Sequence, residues 1–110
     1  MNRLPMSTVA AALLRALLAR TPADRDRILL TSYRSTDWQS LTFTGERHEF
    51  QFRLPGPGAE RLFDTLTAGL ADAEFAIPRQ IVADVAVLEP PIRSIDGSLS
   101  FGVEALTIAE

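Results

Sequence analysis

The stretch "TFTGERHEFQF", residues 42–52, decides the fold because its apolar and polar side chains alternate as they do in a half-buried β-strand. Phe50 and Phe52 alternate with polar residues after the glycine, and Phe43 does so before it. Gly45 is able to adopt the positive φ that the first central position of a type II′ turn requires. The stretch therefore predicts a β-hairpin with its turn at Gly45.

The same alternation assigns the only histidine and the arginine before it to opposite faces of the sheet. His48 stands two and four residues before Phe50 and Phe52, so it shares their core-facing side. We expect a structural histidine at the rim of the core, with one hydrogen bond to a loop carbonyl. Arg47 points to the outer side, where strand parity places it opposite the hydroxyls before the turn.

The outer side of this hairpin is the candidate binding surface. It combines an indole, a row of hydroxyls and two guanidinium groups, and it gains two carboxylates if the C-terminal strands lie alongside. Arginine forks suit carboxylate or phosphate groups, and an indole supplies stacking area, so a small anionic or planar ligand is expected. The alternative is an ordinary solvated sheet face. The candidate residues are Trp38, Ser40, Thr42, Arg47, Arg53, Asp84 and Glu104.

Two of these residues suggest an alternative, enzymatic function. Antiparallel pairing across the connection at residues 89–98 would place Asp84 and Glu104 nearly opposite each other. Two close carboxylates raise the pKa of one of them and perform acid/base chemistry. With Arg47 stabilising developing negative charge, this pair would serve a small hydrolase or isomerase.

Motifs for metal, cofactor and nucleophile chemistry are missing from the sequence. It has no cysteine and one histidine, which argues against a zinc site. It also has no P-loop, no G-x-S-x-G elbow and no glycine-rich turn from a strand to a helix. We therefore predict no metal and no cofactor, and favour a non-enzymatic binding or interaction module over an enzyme.

The composition is that of one ordinary globular domain. The 110 residues are 46% hydrophobic and 23% charged, and the formal net charge of −3 gives no overall attraction to nucleic acid. The lack of cysteine removes the usual marker of an oxidising compartment and favours the cytoplasm.

The N-terminal stretch "MNRLPMSTVAAALLRALLAR" predicts an amphipathic helix that stays on the protein. Ser7 is a suitable N-cap, and Leu13 and Leu17 belong to one apolar face. A signal peptide is disfavoured because Arg15 interrupts the apolar run and no small-residue cleavage motif follows. The run is also too short to span a bilayer, so no membrane role is predicted.

The remaining segments complete an α+β fold. Residues 27–33 are predicted to form a strand, with a short helix after Thr21 as the alternative. Residues 59–73 have helical periodicity, with Gly69 expected to approach a strand closely, and residues 80–88 and 98–108 predict two further strands. The predicted order is α-β-β-β-α-β-β, a mainly antiparallel sheet with one helix packed across one face and an N-terminal amphipathic helix elsewhere.

Apolar residues on a second face of the C-terminal strands predict self-association. The helix at residues 59–73 covers one face of the sheet and leaves these residues exposed, which is uncommon on a monomer. A homodimer with two-fold symmetry would bury them, and the alternative is cover by the N-terminal helix. The residues are Val82, Ala86, Leu88, Leu106 and Ile108.

The stretches "DWQSLTFTGERH" and "VEALTI" resemble a group of short uncharacterised bacterial proteins that share a D-W-x-S…G-x-R-H hairpin signature. The resemblance covers about a third of the chain and implies a recurring hairpin. It implies no activity, cofactor or partner. The signature residues are Asp37, Trp38, Ser40, Gly45, Arg47 and His48.

Overall fold

The computed structural model describes residues 6–110, so the first five residues of the N-terminal stretch lie outside it. The described chain forms two α-helices and a five-stranded antiparallel sheet, which confirms the predicted α+β class. Short 3-10 turns occupy Arg25–Arg27 and Leu70–Asp72. The elements are α1 (Thr8–Leu18), β1 (Leu29–Gln39), β2 (Thr44–Leu54), α2 (Ala59–Thr67), β3 (Gln80–Val87), β4 (Ile92–Arg93) and β5 (Leu99–Ala109).

Strands β2 and β5 form the centre of the sheet. The strand order is β1-β2-β5-β3, and the two-residue β4 pairs with β5 at Leu99 and Ser100, beyond the end of β3. β2 and β5 pair through ten consecutive residues, from Gly45 opposite Ile108 to Leu54 opposite Leu99. All neighbouring strands are antiparallel.

The hairpin predicted from the sequence exists, but its turn lies before Gly45. β1 runs without interruption into a turn at residues 40–43, in which the Ser40 N–H donates to the Phe43 carbonyl at 2.8 Å. The predicted strand at residues 27–33 and the strand before Gly45 are therefore largely one strand. The observed order is α-β-β-α-β-β-β, in place of the predicted α-β-β-β-α-β-β.

Gly45 is required by a close approach within the sheet and not by a turn. It lies in β2, opposite Trp38 on one side and Ile108 on the other. A Cβ atom at this position would stand 2.8 Å from the Trp38 Nε1 atom and 2.0 Å from the Thr107 carbonyl oxygen. A glycine inside a strand often marks a place where another part of the protein approaches closely, and this is the reason for Gly45.

Both helices pack on the same side of the sheet, which we call the inner face. Ser7 caps α1 as predicted, since its Oγ accepts the Ala10 N–H at 3.1 Å. The apolar stripe of α1 lies in the same core as that of α2 and the inner residues of the central strands, so α1 does not cover the opposite side. Core members include Leu13, Leu17, Phe50, Phe52, Leu62, Leu66, Phe101 and Val103.

α2 is shorter than the helix predicted at residues 59–73. It ends at Thr67, and Gly69 follows with a φ of 62°, a left-handed conformation that glycine adopts without steric cost. No atom lies within 4 Å of a Cβ built on Gly69, so the expected close approach to a strand is wrong. The glycine ends the helix instead.

Leu13→Ala tests the packing of α1 on the inner face. Leu13 is fully buried, so its truncation should lower the free energy of unfolding by about 2–5 kcal/mol through lost burial and a residual cavity. Urea denaturation followed by circular dichroism measures this change. Leu41→Ala is the matched control, because Leu41 is fully exposed in the turn and its loss should cost less than about 0.5 kcal/mol. Equal stability of Leu13→Ala and wild type would contradict the packing.

Candidate functional site

The side of the sheet opposite the helices, here called the outer face, carries most of the candidate residues. Directly opposite residues on neighbouring strands share a face, so the pairing register arranges the side chains in rows across the sheet. One row holds Thr36, Arg47, Leu106 and Asp84, and the next row holds Arg34, Glu49, Glu104 and Ala86.

The outer face contains Trp38, Arg47, Arg53, Asp84 and Glu104, as the sequence predicted. Ser40 and Thr42 do not belong to this surface. They lie in the 40–43 turn, because β1 ends at residue 39 and the turn comes before Gly45. The hydroxyl opposite Arg47 belongs to Thr36 instead.

Arginines of the outer face each contact a carboxylate. Arg34 Nη2 lies 2.7 Å from Glu49 Oε2, and Arg47 Nη1 lies 2.8 Å from Glu104 Oε1. Glu49 and Glu104 are direct neighbours across β2 and β5, so the two guanidinium groups offset a repulsion between like charges. Each exposed pair stabilises the fold by only about 0–1 kcal/mol.

A third ion pair joins Arg53 Nη2, from the other arginine of β2, to Asp96 Oδ2 at 2.6 Å. Arg34, Glu49 and Asp96 were not among the candidate residues. The Arg34–Glu49 pair depends on the register between β1 and β2, and Asp96 lies in the turn before β5, so parity within a single strand reveals neither contact.

Asp84 and Glu104 share the outer face but are not nearly opposite, so this prediction is wrong. Asp84 pairs with Leu106, while Glu104 pairs with Ala86, which makes the two carboxylates diagonal neighbours. A bulge between Val82 and Asp84 sets this offset. Such diagonal positions are roughly 7–8 Å apart, and Glu104 is held by Arg47.

The apolar residues of the outer face lie mainly on β3 and β5. The bulge turns Val82 to the inner face, opposite Thr107, and puts Ile81 on the outer face opposite Ile108, which corrects the predicted set. Ile81 and Leu88 are 50% and 40% exposed. We call this group the apolar patch: Ile81, Ala86, Leu88, Leu106 and Ile108.

Trp38 extends the apolar patch across β2. Its indole lies over Gly45, in the space that a side chain at that position would fill. The indole Nε1 is buried and has no hydrogen-bond partner among the described residues. One face of the ring is therefore covered by the strand at Gly45.

His48 lies on the inner face as predicted, but it is fully buried and not at the rim. Its partners are side chains and not a loop carbonyl: Nε2 lies 3.0 Å from Thr107 Oγ1, and Nδ1 lies 3.4 Å from the Tyr33 hydroxyl. Thr107 Oγ1 in turn donates to the Glu46 carbonyl at 3.4 Å. These contacts fit a neutral imidazole that donates through Nε2 and accepts at Nδ1.

Burial lowers the pKa of His48 below its ordinary value of 6.5, because the charged form loses hydration. The Glu46 carboxylate opposes this effect and raises the pKa, but it is the smaller of the two causes. Glu46 accepts hydrogen bonds from Ser35 at 2.7 Å and Ser7 at 3.3 Å, which joins α1 to the hairpin. The arrangement is that of a structural polar network.

Within residues 6–110, no group of three or more His, Asp or Glu side chains is arranged to hold a metal ion. No helix in that range has the length and apolar character needed to cross a membrane.

No protein-family model, curated protein or solved structure matches this chain. The resemblance of its hairpin to short bacterial proteins stays a prediction. The function has therefore to be inferred from the chemistry of the chain's own surfaces.

The lowered pKa of His48 predicts that stability falls on mild acidification. As pH drops below about 6.5, the unfolded chain takes up a proton before the folded chain does, so the free energy of unfolding decreases. Urea denaturation between pH 5 and pH 8 measures this slope. His48→Gln keeps a polar side chain but does not titrate, so its slope should be shallower between pH 5 and 7. Identical slopes for wild type and variant would contradict the assignment.

His48→Ala should lower stability more than it lowers any binding. The substitution removes a buried ring and leaves the Tyr33 and Thr107 hydroxyls without their partner. We expect a loss of about 2–4 kcal/mol in the free energy of unfolding. A variant that keeps its full stability but loses all binding would give His48 a functional role instead.

Proposed function

We propose that this protein is a non-enzymatic interaction module that self-associates through the outer face of its sheet. The observation that carries the proposal is the placement of both helices on the inner face. The apolar patch and Trp38 are therefore left without cover among the described residues. A second copy of the chain is the occupant that we propose.

The dimensions of the outer face fit a stable dimer. Three strands of 11 residues and one of 8, about 4.8 Å apart and at about 3.3 Å per residue, give a face of roughly 650 Å². Two copies would together bury about 1,300 Å², within the range of stable protein interfaces. Two-fold symmetry closes the assembly at two copies.

One two-fold axis brings the apolar parts of the two faces together. An axis along the strands, between two facing sheets, places β1 of one copy over β3 of the other in the same row. Trp38 then meets the partner's Ile81, and Gly45 meets the partner's Ile108. Arg34, whose side chain is 73% exposed, comes close to the partner's Asp84. The row of Trp38 thus joins apolar residues to apolar residues, and Arg34 lies near an opposite charge. The same axis places Glu49 over the partner's Glu104, and the ion pairs with Arg34 and Arg47 offset this repulsion.

A small anionic ligand fits the outer face less well than a protein partner. Arg34, Arg47 and Arg53 already contact carboxylates, which an anion would have to displace. A planar ligand would reach only the uncovered side of Trp38. If light scattering shows a monomer, and this monomer binds an anionic or planar ligand, the ligand-binding hypothesis is favoured over the dimer.

The enzymatic alternative, a small hydrolase or isomerase, requires Asp84 or Glu104 as the base and Arg47 as the anion stabiliser. The diagonal offset and the Arg47–Glu104 contact do not provide two adjoining free carboxylates. This alternative stays a prediction, which Arg47→Ala and Glu104→Ala test separately. Full turnover of a substrate by both variants would show that Arg47 and Glu104 are not catalytic residues.

The cytoplasmic location stays a prediction from the sequence. The same holds for the expectation that the protein binds neither nucleic acid nor membranes. Fractionation of the cells that express the protein tests the location.

Light scattering tests the proposed dimer. The chain mass is 12.1 kDa, so a dimer should give a doubled mass at micromolar concentration. Ile108→Glu places a charge in the apolar patch, opposite Gly45 and Ile81, and should restore the monomer, because burying an unpaired charge is unfavourable. Leu41→Glu makes the same change in the exposed turn and should remain dimeric.

A monomer mass for wild type would reject the proposal. So would a dimer that Ile108→Glu leaves intact, since the contact would then lie elsewhere on the molecule. Circular dichroism of both variants shows that the fold is retained.

A further inference from the structure

A groove of about 760 Å³ lies at the end of the molecule where α2 begins, and it takes no part in the proposed dimer contact. Its volume falls within the usual range for small-molecule sites. Three segments that are distant in sequence form its walls: residues 21–27, residues 57–65 and the region of residues 93–97.

The groove is positively charged in a negatively charged protein. Among the lining residues that the structure describes, Arg27, Arg61 and Arg93 are basic and Glu60 is acidic, which gives them a formal charge of +2. The whole chain carries −3. An excess of guanidinium groups is therefore concentrated at one place by the fold.

The guanidinium groups of the groove are less engaged than those of the outer face. Arg61 makes no side-chain hydrogen bond among those found for the described residues, and it is exposed. Arg27 donates to the Pro57 carbonyl through one nitrogen and keeps further N–H groups. Arg93 contacts Glu60. The three outer-face arginines, in contrast, each contact a carboxylate, whereas only Arg93 does so in the groove.

A buried hydroxyl completes the lining. Thr21 is only 9% exposed, and its Oγ1 accepts the Ala23 N–H at 3.2 Å. An oxygen that accepts from the backbone still has its own hydrogen to donate, and this residue borders the groove. The lining therefore offers hydrogen-bond donors of both kinds, cationic and neutral.

We propose that this groove binds a small phosphorylated molecule that carries two or more phosphate charges. The planar guanidinium fork matches phosphate oxygens, and charge-assisted hydrogen bonds of this type are the strong ones. A diphosphate group offers oxygens on two phosphorus atoms, so it can contact guanidinium groups from two of the three segments at once. The inference does not depend on self-association, because the groove and the outer face share no residues.

Calorimetric titration of the full chain with pyrophosphate tests the proposal. Wild type should bind, and Arg61→Ala should weaken binding by about tenfold, since one charge-assisted contact is lost. Glu60→Gln should tighten binding, because it removes the competing carboxylate and releases Arg93. Opposite effects of two neighbouring substitutions cannot come from loss of the fold. Arg15→Ala removes an exposed arginine of α1 that lines neither the groove nor the outer face, and it should leave the affinity unchanged.

The proposal is overturned if wild type does not bind pyrophosphate, or if Arg15→Ala weakens binding as much as Arg61→Ala does. Succinate and inorganic phosphate serve as the other arms of the titration. Both should bind more weakly than pyrophosphate, and equal binding of succinate would overturn the phosphate class. Wild-type affinity of the Arg61→Ala variant would show that pyrophosphate does not bind in the groove.

Discussion

The pairing of β2 with β5 is the interaction on which the rest of this structure depends. Ten consecutive residue pairs hold the two strands in one register, and every inner residue of one strand then faces an inner residue of the other. Phe52 thus meets Phe101, and Phe50 meets Val103, to form the surface on which both helices pack. A shift by one residue would turn these aromatic side chains to the outer face, so the register is fixed by their burial. The open outer face follows from the same constraint.

Sequence patterns predicted the elements that bury apolar side chains and failed where burial is slight. The alternation in β2 and β5 and the helical stripe of α1 identified these elements and the core-facing side of His48. β1 is an edge strand whose side chains are mostly exposed, so it has no apolar alternation that marks its length. Gly45 then appeared to be a turn residue, although the Trp38 indole is the reason for a glycine there.

The candidate surfaces, like the fold, were predicted from the sequence only in part. Parity along single strands placed Arg47, Arg53 and Glu104 on the outer face, but their partners depend on register and on the bulge before Asp84. Ser40 and Thr42 were misassigned through the error in the turn. The groove was invisible to sequence reasoning because its arginines come from three segments that only the folded chain brings together.

The central claim is that the face opposite the helices meets a second copy. The cysteine-free chain allows a single spin label at Thr36→Cys, exposed on the outer face, with Thr65→Cys on α2 as the reference. Sheets about 10 Å apart and three strand spacings of about 4.8 Å predict a Cα separation of about 17 Å between the two Thr36 positions. Pulsed electron paramagnetic resonance should therefore give a short intermolecular distance at Thr36 and a much longer one at Thr65. The absence of a distance at Thr36, or a shorter one at Thr65, would contradict the account.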